Sequence, residues 1–131
     1  MTKELIISII IVVLIFVGNA VTENYTGESV DETKQSLSDL REEIIKNEDE
    51  IDVNIAKEKI DKIHEQWDSK YEKLAYYIEH DELEKVDTAI VQVRSFVEND
   101  DIPSAIAELE TGKFVLEHIE RKYKFNLQNI F

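Results

Sequence analysis

The chain has no cysteine, and it has one proline and three glycines in 131 residues. Without cysteine there is no disulfide, no thiolate metal site, no cysteine nucleophile and no lipid-modified cysteine. The shortage of proline and glycine removes the usual chain breakers, and abundant Glu, Lys, Ile and Leu favour helix. Strand signals are thin as well: neither Asn-Gly nor Asp-Gly occurs, and no long stretch alternates apolar with polar residues. All-α is the fold class that survives. Positive charge is also scarce, with 15 basic against 29 acidic side chains and a net charge of −14. A surface of that sign repels nucleic-acid phosphates and anionic lipid headgroups, so no nucleic-acid partner is expected. It suits a solvated domain or a basic partner.

What the chain does have is one intensely apolar run. Residues 5–17 read L-I-I-S-I-I-I-V-V-L-I-F-V, with Ser8 the only polar member. Admitting Gly18, Asn19 and Ala20 extends it to residues 5–21, about 25 Å of helix and the lower limit for a bilayer span. Gly18-Asn19-Ala20 also reads as a small-x-small signal-peptide cleavage site, which leaves a secreted domain as the alternative. A buried helix of a soluble protein is the third option. Lys3 precedes the run, while Glu23, Glu28, Asp31 and Glu32 follow it before the first basic residue, Lys34. The positive-inside tendency then puts the N-terminus in the cytoplasm and the remainder outside. The expected organisation is a membrane anchor over 1–21, a polar linker over 22–28 with Gly27 as breaker, and an acidic extracytoplasmic helical domain over 29–131.

Helical periodicity divides that domain into four. A capping box at Ser29-Val30-Asp31-Glu32 predicts a first helix whose face is Val30, Leu37, Leu40, Ile44 and Ile51. The second, capped by Asp52 or Asn54, shows the clearest stripe: Ala56, Ile60, Ile63, Trp67, Tyr71, Leu74 and Ile78. Asp81-Glu82-Leu83-Glu84 predicts the third start, with Leu83, Val86, Ile90, Val93 and Val97 inward. Asp101 before Ile102-Pro103 predicts the fourth, with Ile106, Leu109, Leu116, Ile119 and Tyr123 inward and Phe114 and Val115 beside them. Leu40-Arg41 with Ile44 faintly echoes Val93-Arg94 with Val97. The short turns favour two αα-hairpins in an antiparallel bundle of about four helices.

Catalytic and metal patterns fail one by one. The residues three before His64, His80 and His118 are Asp61, Tyr77 and Val115, so the Glu-x-x-His pattern of di-iron bundles is missing. A calcium loop from Asn47 would need an oxygen ligand fifth and Gly sixth, where Ile51 and Asp52 stand. No nucleophile motif or phosphate-cradling glycine loop occurs. The expectation is therefore no enzyme, no catalytic residue, no cofactor and no dedicated metal site. Asp61, His64 and Asp68 share one helical side, which keeps a cation-binding module as an alternative. Trp67, Tyr71, Tyr76 and Tyr77 form an aromatic cluster expected to pack as core with one of the adjacent tyrosines exposed; the alternative is that they line the pocket of a ligand-binding module. The candidate contacts for a protein partner are Tyr76, Tyr77 and the apolar tail, Phe125, Leu127, Ile130 and Phe131.

The Ile-rich start, Trp67, the turn Ile78-Glu79-His80-Asp81-Glu82-Leu83, the stretch Phe114-Val115-Leu116-Glu117-His118-Ile119 and the ending Asn126-Leu127-Gln128-Asn129-Ile130-Phe131 together resemble the uncharacterised bacterial domain-of-unknown-function family 4363. That resemblance implies a short single-pass helical protein with a retained anchor. It implies no active-site residues. The function expected is a membrane-anchored, extracytoplasmic, non-catalytic interaction or accessory subunit of a cell-envelope protein.

Overall fold

The computed structural model describes the backbone of residues 1–47 and 49–130, and the side chains as far as Lys124. It contains four helices: α1 (Thr2–Lys46), α2 (Val53–Leu74), α3 (His80–Glu98) and α4 (Ile102–Ile130). No strand occurs among the described residues. α1 and α3 each pack on α2 and α4, while the two diagonal pairs do not approach one another. This is the ring of an up-down-up-down bundle, the two αα-hairpins that the short turns implied. The α1–α2 and α3–α4 turns lie at one end. The α2–α3 turn lies at the other, near end, where α1 arrives from the apolar segment.

α1 departs from expectation. It runs unbroken for 45 residues, about 68 Å at the standard rise. There is no linker over 22–28 and no helix start at Ser29, so the capping box there does not form. Ser29 is buried inside the helix, and its carbonyl accepts a 2.8 Å hydrogen bond from the Thr33 hydroxyl. A glycine in a helix interior costs about 1 kcal/mol. Burial of Thr26, Ser29, Val30 and Thr33 around Gly27 offsets that cost. Residues 2–18 are exposed throughout, and the buried face begins at Thr26.

The other ends follow side-chain chemistry. The Asp52 carboxylate accepts from Asn54 N at 2.9 Å and Ile55 N at 3.4 Å, capping α2. The Asp101 carboxylate accepts from Ser104 N at 3.3 Å, with Pro103 in the first turn of α4 as expected. The third start is corrected: α3 begins two residues early, at His80. Its cap is Glu79, without a side-chain bond, and Asp81 and Glu82 occupy the first turn. There they face the positive end of the helix dipole.

The core contains most of the predicted stripes of α1, α2 and α3 and includes fully buried Trp67. Tyr71 is half-buried, and Ile51 and Ile78, in the turns beyond α1 and α2, pack half-buried against the core. The indole N–H of Trp67 has no hydrogen-bond partner among the described groups. α4 is turned slightly from expectation. Ile102, Ala105, Leu109, Leu116 and Ile119 are buried, and Phe114 is 61% exposed. Gly112 occupies the middle of this face, where an added Cβ would lie 3.2 Å from Leu37 Cδ1 and 3.5 Å from Ala89 Cβ. α4 can approach α1 and α3 this closely because it carries no side chain there. The hairpin echo is visible in the ion pairs. Arg41 of α1 forms an ion pair with Glu110 of α4 at 2.6 Å without a hydrogen bond from its Nε, and Arg94 of α3 donates to Asp61 of α2 at 2.6 Å.

Two glycines should therefore respond in opposite ways. At Gly27 nothing lies within 4 Å of an added Cβ. Gly27→Ala should stabilise the bundle by about 0.5–1 kcal/mol. Gly112→Val should destabilise it by about 1–3 kcal/mol through overpacking. Thermal unfolding of the full chain in detergent micelles, followed by circular dichroism, should show a higher Tm for the first and a lower Tm for the second.

Candidate functional site

The near end of the bundle holds the densest network of side-chain hydrogen bonds between distant parts of the chain. Tyr123, from α4, donates to Thr22 Oγ1 at 2.6 Å, and the Thr22 hydroxyl donates to the Asn19 carbonyl at 3.0 Å. The Thr26 hydroxyl donates to the Thr22 carbonyl at 2.7 Å, so its proton is committed. Tyr77, in the α2–α3 turn, is then the donor to Thr26 Oγ1 at 2.8 Å. The Tyr77 hydroxyl also lies 3.4 Å from the Thr22 carbonyl, a second and longer acceptor. The Tyr77 and Tyr123 rings pack at 5.3 Å between centroids, and Lys73 Nζ lies 5.5 Å from the centre of the Tyr25 ring. Threonine side chains bonded to the preceding helical turn are compatible with a continuous helix. Here they also join α1 to residues 51 and 101 positions away.

The candidate contact residues separate accordingly. Tyr76 is 88% exposed, while Tyr77 is half-buried in the network, so one of the adjacent tyrosines does face outward. Phe125, Leu127, Ile130 and Phe131 lie outside the residues whose side chains are described. The aromatic cluster does not line a common pocket. Trp67 and Tyr71 meet edge to face at 6.4 Å, and the Tyr71 hydroxyl pairs with His80 Nδ1 at 2.8 Å. No sequence motif marks Thr22, Thr26 or Tyr123 as part of a site. A signal was present, because stepping back by fours along the α1 stripe from Val30 lands on Thr26 and Thr22.

The second constellation lies midway along the α2–α3 seam. Asp61 does not join His64, because it is held by Arg94. Asp87 of α3 takes its place. His64 Nε2 is 2.8 Å from Asp87 Oδ1 and 3.7 Å from Asp68 Oδ1. The three potential ligand atoms lie within 4.8 Å of one another. One imidazole nitrogen and two carboxylate oxygens suit a divalent transition cation with an open coordination position. As it stands, the His64–Asp87 contact is a hydrogen bond tying α2 to α3.

Burial pushes the Tyr77 hydroxyl above the ordinary phenol range; the Thr26 bond partly opposes this, and Tyr123 and Tyr25 add to it. A folded-state value raised above the unfolded one contributes stability that is fully present below the unfolded pKa of about 10 and is lost as pH rises through the folded value. Tyr77→Phe should cost about 0.5–1.5 kcal/mol at neutral pH, the worth of a typical hydrogen bond. It should also lose less stability than the parent between neutral pH and the alkaline side of pH 10. Denaturant midpoints measured across that range check both.

A family profile described as a domain of unknown function, DUF4363, matches residues 19–130. No curated protein and no solved structure matches the chain.

Proposed function

The chain belongs to the DUF4363 family, and from that premise we propose that it is a single-pass, membrane-anchored, extracytoplasmic helical bundle. In this reading it serves as a non-catalytic interaction or accessory subunit of another cell-envelope protein. One observation carries the proposal: α1, the only helix among those described that is long and apolar enough to cross a membrane, continues without a break into the bundle core. Lys3 on one side and Glu23, Glu28, Asp31 and Glu32 on the other orient the span with the bundle outside. Residues 18–20 lie in mid-helix, with the Asn19 carbonyl accepting from Thr22. This favours a retained anchor over a cleaved signal peptide. The acidic sides of the bundle suit a partner with a basic face, and the tail residues Phe125, Leu127, Ile130 and Phe131 supply apolar contacts.

Protease accessibility of a C-terminal tag in intact cells, with the intact mass of the mature chain, tests the topology. The expected result is a digestible tag on a 15.3 kDa chain plus tag. A protected tag contradicts the orientation, and a chain beginning near Val21 contradicts the anchor. Truncation after Lys124 should abolish co-purification of the partner while helicity stays near that of the parent. Unfolding of the truncated chain would make the tail structural instead.

The His64–Asp68–Asp87 group favours a second reading, a cation-binding module. An ion that binds only the folded state must raise its stability, by about 2.7 kcal/mol at a hundredfold excess over Kd. Under this reading, zinc should raise the Tm of the full chain in micelles, and Asp87→Asn should abolish the rise. An unchanged midpoint in the parent would remove it.

A further inference from the structure

The near end of the bundle has three properties that belong together. The first is position. Thr22, which is already bonded to Tyr123, lies only five positions beyond Val17, the last of the apolar run. Five helical residues rise about 7.5 Å, while each headgroup layer of a bilayer is about 5–8 Å thick. α1 contains no spacer that could lift the bundle clear of that layer.

The second property is the placement of tyrosine. Four of the five tyrosines, Tyr25, Tyr76, Tyr77 and Tyr123, collect at this end. Three of them have a use in the fold, in the hydroxyl network or under Lys73. Tyr76 has none: its ring stands 88% exposed on the α2–α3 turn. An amphipathic ring with an apolar body and a polar tip is what the membrane–water interface favours.

The third property is charge. At this end the acids Glu23, Glu28, Glu79, Asp81, Glu82 and Glu120 are countered by Lys73, Arg121, Lys122 and Lys124, with Lys122 Nζ 3.2 Å from Glu79 and 3.8 Å from Glu82. Six acids against four bases leave −2 here, and Lys3 and Glu4 cancel in the apolar segment, so most of the net charge of −14 lies elsewhere on the bundle. Repulsion from anionic headgroups therefore acts chiefly on the sides and far end, and only weakly on this end.

We propose that the near end of the bundle rests in the headgroup layer of the bilayer crossed by α1, with the Tyr76 ring inserted among the lipids. The tyrosine is a second, shallow contact beside the span and fixes the tilt of the bundle over the membrane. This rests on the anchored reading above, and the test separates the two. The absence of native cysteine allows single-site labelling of the full chain with a bimane fluorophore at Tyr76→Cys, Phe114→Cys or Ile11→Cys. All three positions are exposed, so the core is untouched. The labelled chains are reconstituted in phosphatidylcholine–phosphatidylglycerol vesicles containing lipids spin-labelled at the headgroup or in the acyl chain. The position 76 probe should be quenched severalfold more by the headgroup label than the position 114 probe, with position 11 quenched by the chain label. If position 11 is quenched but position 76 behaves like position 114, the interfacial contact is overturned and the anchor stands. If position 11 is not quenched, the anchored reading falls and this inference falls with it.

Discussion

The structure depends on the continuity of α1. A flexible tether would leave the bundle free in height and orientation. A single helix fixes both, because the helical phase at Val17 determines the phase at Val30. The stripe Thr26, Val30, Thr33, Leu37, Leu40 and Ile44 then sets the direction from which α2 and α4 must pack. Continuity is not a matter of intrinsic propensity, since residues 22–29 include Thr22, Asn24, Thr26, Gly27 and Ser29. It is imposed from outside. Tyr77 and Tyr123 bond Thr26 and Thr22, and burial of the same face supplies the rest.

That origin explains what the sequence disclosed and what it hid. The stripes of α2 and α3 are legible because each is an apolar repeat at three- and four-residue spacing, α2 opening on Asp52 and α3 closing on Asn99. Residues 22–29 of α1 read as a linker and a cap because their core-facing positions are threonine and serine. In isolation such residues signal caps and loops. Only partners 51 and 101 residues away convert them into core positions. The same limit applies across the α2–α3 seam. A one-helix view grouped Asp61 with His64, whereas Arg94 withdraws Asp61 and Asp87 arrives from the opposite helix. Gly112 was invisible for a related reason. A glycine in a helix looks like a flaw until the neighbouring Leu37 and Ala89 are in place. The exposure of one tyrosine from the pair Tyr76 and Tyr77 was legible from helical geometry alone. Which of the two faces outward depended on Thr26.

The surface works differently from the core. Ion pairs bridge neighbouring helices, among them Arg41–Glu110, Lys57–Glu98 and Lys70–Glu32. Exposed pairs of this kind are each worth about 0–1 kcal/mol, so the bundle is held by its apolar stripes and the near-end network. The pairs leave the acidic excess uncompensated on the sides and far end. That excess keeps the bundle soluble and repels like-charged neighbours, and in the proposed function it is what a basic partner meets.

The central claim is that span and bundle form one rigid helix, and a distance measurement tests it most directly. Spin labels at Leu14→Cys and Asp39→Cys sit on nearly the same helical face, one in the apolar segment and one in the bundle. Twenty-five residues of unbroken helix place them about 38 Å apart. Pulsed electron–electron resonance on the full chain in lipid nanodiscs should give a single narrow distribution near that value. A broad distribution, or one shifted well below it, would contradict the account and restore a hinge at residues 22–28.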